Sequence, residues 1–192
     1  MTEHHDTGTK ILAIVGLTGS GKSEVVNYVT EKGIPKVYFG GVILNAMKEA
    51  GIEWTAENEK QFREDIRAQE GKDFVVNRIV KEIRDLIAAG QHRIVADGLY
   101  TWTEYKILKH EFPGELTVAA VVAPKNLRHH RLTTRPIRPL TVEEANSRDW
   151  AEIENLEKGG PIAIADHYLT NEGSLDTLHK QVDQLLDETH FL

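Results

Sequence analysis

One short segment restricts what this chain can fold into more than any other: residues 16–23 read GLTGSGKS and fit the pattern G-x-x-x-x-G-K-[ST]. Its glycines allow the main chain to turn sharply and to approach a bound anion, while successive N–H groups point inward. A β-branched apolar run precedes it at residues 10–15, and a helical pattern over residues 21–32 follows. That helix adds the positive end of its dipole to the loop. The segment therefore predicts a loop that binds the phosphates of a nucleoside triphosphate.

Two side chains of this phosphate loop have roles beyond those of the backbone. Lys22 is placed to reach the β- and γ-phosphates, and Ser23 to ligate Mg²⁺. We therefore expect ATP with Mg²⁺ as the bound cofactor, and the alternative is a glycine-rich turn with an incidental lysine. The residues predicted to bind the cofactor here are Gly16, Thr18, Gly19, Ser20, Gly21, Lys22 and Ser23, with Val25 on the helix that follows.

Short apolar strands alternate with helical patterns along the whole chain. The predicted strands are residues 10–15, 36–39, 93–97, 116–122 and 162–169. The predicted helices are residues 21–32, 42–51, 56–69, 74–89, 104–112, 126–132, 149–158 and 175–186, with a loop over 133–146 and a helix stop at 159–161. This alternation predicts an α/β fold with three layers around a parallel sheet. Ligands of such sheets bind beyond the carboxyl ends of the strands.

Composition limits the setting in which the chain works. The sequence has no cysteine, no apolar run near the roughly 20 residues that span a bilayer, and no signal-peptide pattern over residues 1–10. We therefore expect a cytoplasmic protein without a membrane partner. A net charge of −7 argues against a large nucleic-acid interface.

The length of 192 residues suits a single domain. We expect its core at residues 10–39 and 91–190, a helical insert at about residues 40–90, and a short lid at about residues 133–147.

Asp97 is the predicted second acid of the site. It ends the apolar run of residues 93–97 and is followed by Gly98. In enzymes with this phosphate loop, an acid at a strand end holds the hydration shell of Mg²⁺ or a catalytic water. The alternatives are a contact with the phosphoryl acceptor and ordinary Asp-Gly turn chemistry. Asp97 is therefore a predicted catalytic and metal-binding residue, together with Lys22 and Ser23.

Positive charge is concentrated at residues 129–138, which read HHRLTTRPIR in an acidic chain. Guanidinium groups stabilise the charge that spreads over a transferred phosphoryl group. We predict a lid here, with Arg131 and Arg135 as catalytic residues and Arg138 and Arg148 as further options. The alternative is a solvated basic surface. The adjacent His129 and His130 are interpreted as a helix-surface feature, because neighbouring positions do not share a helical face.

The insert between the second and third strands is longer than a simple crossover requires. Its Arg63, Arg67 and Lys72 are candidates to bind a phosphate of the acceptor, with ordinary helix-surface charge as an equal alternative. Trp54 and Phe62 are candidates to stack on a base, or belong to a partial core.

With these residues in view, the chain resembles the P-loop nucleotide kinases, and most closely the adenylate-kinase-related and dephospho-CoA-kinase-like proteins. The resemblance covers most of the chain. Beyond the phosphate loop it rests on Gly40-Gly41, residues 67–73 with Glu70-Gly71-Lys72, Asp97-Gly98, Arg148-Asp149, Ile164-Ala165-Asp166 and Asn171-Glu172-Gly173.

The resemblance implies a five-stranded parallel sheet, ATP as donor and a nucleotide-like acceptor. It also implies that Asn171 and Gly173 approach the adenine, and that Gly40, Gly41 and Gly98 bind the acceptor. The chain departs from the family pattern at Gly41, where an Asp is usual, and at Leu44, where an Arg is usual. A plain adenylate kinase is therefore not expected.

Two classes of function follow from these patterns. The first is an ATP-dependent kinase for a nucleotide-like small molecule, with dephospho-CoA or a related nucleotide ahead of a sugar acid. The second is an ATP-binding switch, ATPase or degenerate kinase without a small-molecule acceptor. A GTPase is disfavoured, because the sequence lacks the Asn-Lys-x-Asp segment that reads guanine.

Overall fold

The computed structural model describes residues 8–71, 73–137 and 139–192, without the side chains of residues 56, 60, 63 and 67. Within this part, five strands form one sheet in the order β2-β3-β1-β4-β5, and every pairing is parallel. The strands are β1 Lys10–Val15, β2 Lys36–Tyr38, β3 Arg93–Asp97, β4 Leu116–Val122 and β5 His167–Thr170. The predicted five-stranded parallel sheet is confirmed.

Helices cover both faces of the sheet because β1 sends alternate side chains to opposite sides. Ile11 and Ala13 belong to the buried cluster under the helices of residues 42–49, 74–88 and 102–111. Leu12 and Ile14 belong to the buried cluster under the helices of residues 22–30 and 175–188. The helices of the described chain are α1 Lys22–Thr30, α2 Val42–Glu49, α3 Ala56–Glu70, α4 Phe74–Ala88, α5 Trp102–Glu111, α6 Lys125–Thr134, α7 Val142–Glu154, α8 Gly159–Ala163 and α9 Leu175–Glu188, with a 3-10 turn at Phe39–Gly41. The three predicted layers are therefore present.

Half of the segment predicted as a loop over residues 133–146 is helical. Helix α6 continues to Thr134 and α7 begins at Val142, so the connection is only residues 135–141. Thr141 caps α7 through a capping box with Glu144, in which each side chain accepts from the other residue's backbone N–H. The loop prediction is therefore wrong for residues 133–134 and 142–146, because the Thr-x-x-Glu signal starts a helix directly after the prolines.

The end of this region also differs from prediction. Helix α7 ends at Glu154, and the glycine-rich segment predicted as a helix stop forms the short helix α8. Pro161 is tolerated there because it lies in the first turn, where backbone N–H groups have no intrahelical partner. The last strand begins at His167, five residues later than the predicted start at Ile162. As a result, Lys158 lies at the junction between α7 and α8.

Within the part of the chain that the structure describes, no helix combines the length and the apolar character needed to cross a bilayer.

Candidate active site

The phosphate loop connects β1 to α1, as the sequence predicts. Gly19 and Gly21 have left-handed backbone angles, with φ of +82° and +98°. A Cβ at Gly21 would lie 2.0 Å from Asn171 Nδ2, and one at Gly19 would lie 2.9 Å from the Arg128 carbonyl oxygen. Both positions therefore require glycine for their conformation and for their close neighbours.

Lys22 and Asp97 meet at the carboxyl edge of the sheet. Strand β3 pairs with β1 in parallel, so the acid that ends β3 lies beside the loop that follows β1. Lys22 Nζ donates to Asp97 Oδ1, and Lys36 Nζ lies 4.0 Å from Asp97 Oδ2. Only 7% of Asp97 is exposed. The two predicted catalytic residues thus form one partly buried ion pair beside the loop.

The segment after β5 and the predicted lid meet on the other side of the loop. Asn171 Nδ2 donates to the Ser20 carbonyl oxygen at 2.8 Å. Arg131 donates to the Asn171 carbonyl oxygen at 2.9 Å and to the Gly19 carbonyl oxygen at 3.4 Å. Arg131 therefore already lies against the phosphate loop, and Asn171 braces it from the end of β5.

A buried ion pair that the sequence did not predict as part of the site joins the lid helices to the loop. Arg128 donates to both Asp149 carboxylate oxygens, at 2.7 and 2.9 Å, and to the Thr18 carbonyl oxygen at 3.0 Å. His129 Nε2 lies 2.8 Å from Asp149 Oδ2, and its side chain is only 12% exposed. The interpretation of His129 as a surface feature was therefore wrong.

The second unpredicted pair is Glu152 with Lys158. Glu152 Oε2 accepts from the Thr18 backbone N–H at 2.9 Å, and Oε1 lies 2.8 Å from Lys158 Nζ. Burial raises the pKa of Glu152, but hydrogen bonds from Lys158 and Thr18 outweigh it and hold the pKa below its usual value. Burial also lowers the pKa of Lys158, whose ammonium group lies 4.7 Å from the centre of the Tyr100 ring.

A sequence signal for these residues existed. The capping box at Thr141 fixes the start of α7, and Asp149 and Glu152 are then three residues apart on one helical face. Arg128 lies one position before the basic segment that the sequence singled out. Nothing local marks Lys158, because its position depends on the unexpected helix α8.

These contacts surround a cavity of about 1250 Å³, larger than the volumes of about 300–1,000 Å³ usual for small-molecule sites. Arg148, Glu152 and Lys158 line it from the lid side, and Tyr100 from the β3 side. The predicted site residues that line it are Gly16, Thr18, Gly19, Gly21, Lys22, Ser23, Arg131, Arg135, Asn171 and Gly173.

Other predicted site residues lie outside the lining of this cavity. Ser20 is buried within the loop, and Val25 is buried on α1. Gly40 and Gly41 lie in the 3-10 turn against the Tyr38 ring, and Gly98 lies against Tyr100. Lys72, Arg138 and the side chains of Arg63 and Arg67 are outside the described part of the chain, so the roles predicted for them stay predictions.

The donors available for Mg²⁺ fit a cation held mainly by phosphate and water. Ser23 lines the cavity in the first turn of α1, and the Asp97 carboxylate, which is not part of the lining, pairs with Lys22. The described residues contain no group of three or more His, Cys, Asp or Glu side chains that could hold a metal. A bound Mg²⁺ would therefore take most of its ligands from the nucleotide and from water, as this ion prefers.

The sequence matches no protein-family profile. It is 33% identical over 181 residues to the UPF0200 protein of Thermococcus kodakarensis, a match that covers 93% of this chain and 97% of the relative. It is 34% identical over 180 residues to the UPF0200 protein of Sulfurisphaera tokodaii, which covers 92% of this chain and 96% of the relative.

Solved kinase structures share the fold over nearly the whole chain. A sugar kinase from Janibacter sp. has a TM-score of 0.58 at 18% identity, covering 93% of this chain and 95% of that one. Shikimate kinase from Acinetobacter baumannii, in complex with shikimate, gives 0.56 at 18% identity, with 94% of both chains covered. Dephospho-CoA kinase from Campylobacter jejuni gives 0.54 at 15% identity, covering 94% and 97%. The predicted resemblance to P-loop kinases is confirmed for the fold.

Proposed function

The chain belongs to the UPF0200 protein family, and from the geometry of its site we propose that it is an ATP-dependent phosphotransferase. It moves the γ-phosphoryl group of ATP to a nucleotide or nucleotide-like small molecule. The observation that carries this proposal is the phosphate loop, whose Lys22 lines a large cavity together with Arg131 and Arg135.

Each side of the cavity supplies one part of this chemistry. The loop N–H groups and Lys22 would hold the β- and γ-phosphates, and Ser23 and Asp97 would hold Mg²⁺ and its waters. Mg²⁺ would neutralise charge on the phosphates. Arg131 and Arg135 stabilise the negative charge on the phosphoryl group in the transition state. Phosphoryl transfer depends mostly on such alignment and neutralisation, so the chain needs no covalent intermediate.

The acceptor is proposed to be dephospho-CoA or a related nucleotide rather than a sugar acid. Support comes from the resemblance of the chain's motifs to those of nucleotide and dephospho-CoA kinases, and from the size of the cavity. Leu44, where the family pattern has Arg, is 43% exposed and lies on α2. An acceptor that is bound without an arginine at this position differs from the AMP of a plain adenylate kinase.

A thermal-shift screen over nucleotides and CoA precursors, each with and without MgATP, identifies the acceptor. A ligand at 100 times its Kd raises the unfolding free energy by about 2.7 kcal/mol, so acceptors rank by their shift. Each hit is then tested for ADP formation and for a phosphorylated product. A kinase forms ADP faster when the acceptor is present. ATP binding or hydrolysis that no acceptor accelerates would identify an ATP-binding switch instead.

Arg135→Ala tests the lid role within the same assay. We expect kcat to fall by about tenfold or more with little change in ATP affinity, because the contact forms only as charge develops. The reverse pattern, weaker ATP binding with unchanged kcat, would remove Arg135 from the lid.

A further inference from the structure

Glu152 is a buried carboxylate whose contacts are made with the phosphate loop. Only 3% of the residue is exposed, yet both of its oxygens are engaged. Oε2 accepts the Thr18 backbone N–H at 2.9 Å, while Oε1 accepts the Thr18 hydroxyl and lies 2.8 Å from Lys158 Nζ. A carboxylate removed from water is costly unless it is paired and hydrogen-bonded. This one is fully satisfied, and a loop residue provides two of its donors.

The opposite side of Thr18 is held as well. Arg128 Nη1 donates to the Thr18 carbonyl oxygen at 3.0 Å, and Arg128 is 5% exposed. Helices α6 and α7 therefore fix the peptide groups on both sides of one loop residue. Gly19, the next residue, has a φ of +82° that turns the main chain. The direction of the following N–H groups depends on this geometry.

We infer that Glu152 is a positioning residue: it fixes Thr18 so that the loop N–H groups that follow face a bound polyphosphate. The inference rests on the proposed function, because it concerns how that phosphate site is kept ready. Lys158 completes the arrangement, since a lone carboxylate beside the phosphates would repel them. Arg148 Nε, 3.5 Å from Glu152 Oε1, adds a second positive charge.

The competing explanation is that Glu152 and Lys158 form an ion pair that only stabilises the junction of α7 and α8. Two double variants separate the explanations. Both carry Lys158→Met, so neither keeps the buried ion pair, and an apolar replacement of such a pair is often tolerated. One adds Glu152→Gln, whose amide oxygen still accepts from Thr18. The other adds Glu152→Leu, which has a similar volume and cannot accept.

Calorimetry with MgATP on the full chain compares the two double variants. The double variant with Glu152→Leu is expected to bind MgATP about tenfold more weakly than the one with Glu152→Gln, because the Thr18 donors lose their acceptor. Equal affinities of the two folded double variants would overturn the inference. If either double variant does not fold, Thr18→Val and Thr18→Ser are compared in the same way. Only the serine retains the hydroxyl, and equal affinities there would also overturn the inference.

Amide hydrogen exchange of Thr18 in the ligand-free protein decides the point without a nucleotide. Exchange should be about tenfold faster in the double variant with Glu152→Leu than in the one with Glu152→Gln. Equal exchange rates would overturn the positioning role. A wild-type chain that binds no MgATP would contradict the proposed function, whereas the exchange comparison would still show whether Glu152 holds Thr18.

Discussion

The surroundings of the phosphate loop and the insert proposed to bind the acceptor are built in opposite ways. Around the loop, charged residues that are themselves buried hold the backbone of Thr18, namely Arg128 at 5% exposure and Glu152 at 3%. In the insert, none of the described side chains of α3 (Ala56–Glu70) is buried, and Trp54 is 56% exposed.

The difference indicates that the fold sets the orientation of the phosphate-binding groups, whereas the conformation of the insert can adjust to the ligand. A phosphate site works best when its donors are already oriented, because reorientation during the reaction costs free energy. An insert with few buried contacts opens and adapts more readily. We therefore expect the donor chemistry to depend on the buried contacts around the loop, and the identity of the acceptor to depend on the less buried insert. The predictions below test this contrast.

The largest effect is expected at Lys22. Lys22→Met should lower acceptor-stimulated ADP formation at least about 100-fold, because the β- and γ-phosphates lose their cation. Lys32→Met is the control: Lys32 lies just beyond the far end of α1, 3.0 Å from Asp183 Oδ1. Circular dichroism checks that both variants fold. Wild-type turnover in Lys22→Met would contradict the assigned role.

Removal of Arg128 should destabilise the whole protein. Arg128→Met leaves Asp149 buried without its guanidinium partner, and we expect a loss of about 3 kcal/mol in urea unfolding. Arg84→Met is the matched control, since its partner Glu111 and Arg84 itself are both partly exposed and such pairs contribute below about 1 kcal/mol. Similar losses in the two variants would show that the lid side is not more tightly held than the surface.

Stability should depend on pH through Asp149. Burial raises its pKa, but the hydrogen bonds from Arg128 and His129 lower it by more, so the pKa lies below the usual 3.8. A carboxyl with a lowered folded-state pKa stabilises the native state above its unfolded pKa, and that contribution is lost as pH falls through the folded value. The stability difference between wild type and Asp149→Asn should therefore be largest near neutral pH and shrink below 3.8. Urea unfolding across pH measures it, and a difference that grows in acid would contradict the assignment.

The smallest effect is expected on the acceptor side. Trp54→Phe should change the unfolding free energy by less than about 0.5 kcal/mol, because the ring is exposed. The fluorescence of Trp54, taken as the difference between wild type and this variant, should respond to the acceptor but not to MgATP alone. A large loss of stability, or no response to any acceptor found by the screen, would mean that the insert does not close over the second substrate.

The parts of the molecule that were predictable are those that local sequence determines. The phosphate loop is one continuous motif, and β1 and β4 are short apolar runs whose burial leaves few alternatives. Placing Asp97 at the carboxyl end of a strand was enough to predict that it would lie near the loop. The five-stranded sheet followed from family resemblance.

The contacts at Thr18 were not predictable in this way. Arg128 and Glu152 reach Thr18 from 110 and 134 residues away. Glu152 lies on α7, which begins at Val142 within the segment whose prolines predict a loop. The position of its partner Lys158 depends on α8, which forms where the glycines predict a helix stop. Hydrogen bonds between distant segments depend on packing that no local pattern encodes.

Calorimetric titration of MgATP into the wild-type chain tests the central claim most directly, because every role proposed at the site depends on a polyphosphate bound by the loop at residues 16–23. The account predicts a saturable heat of binding to a single site, much weakened in Lys22→Met and retained in Lys32→Met. The absence of any heat in the wild-type protein, or equal binding by wild type and Lys22→Met, would contradict it.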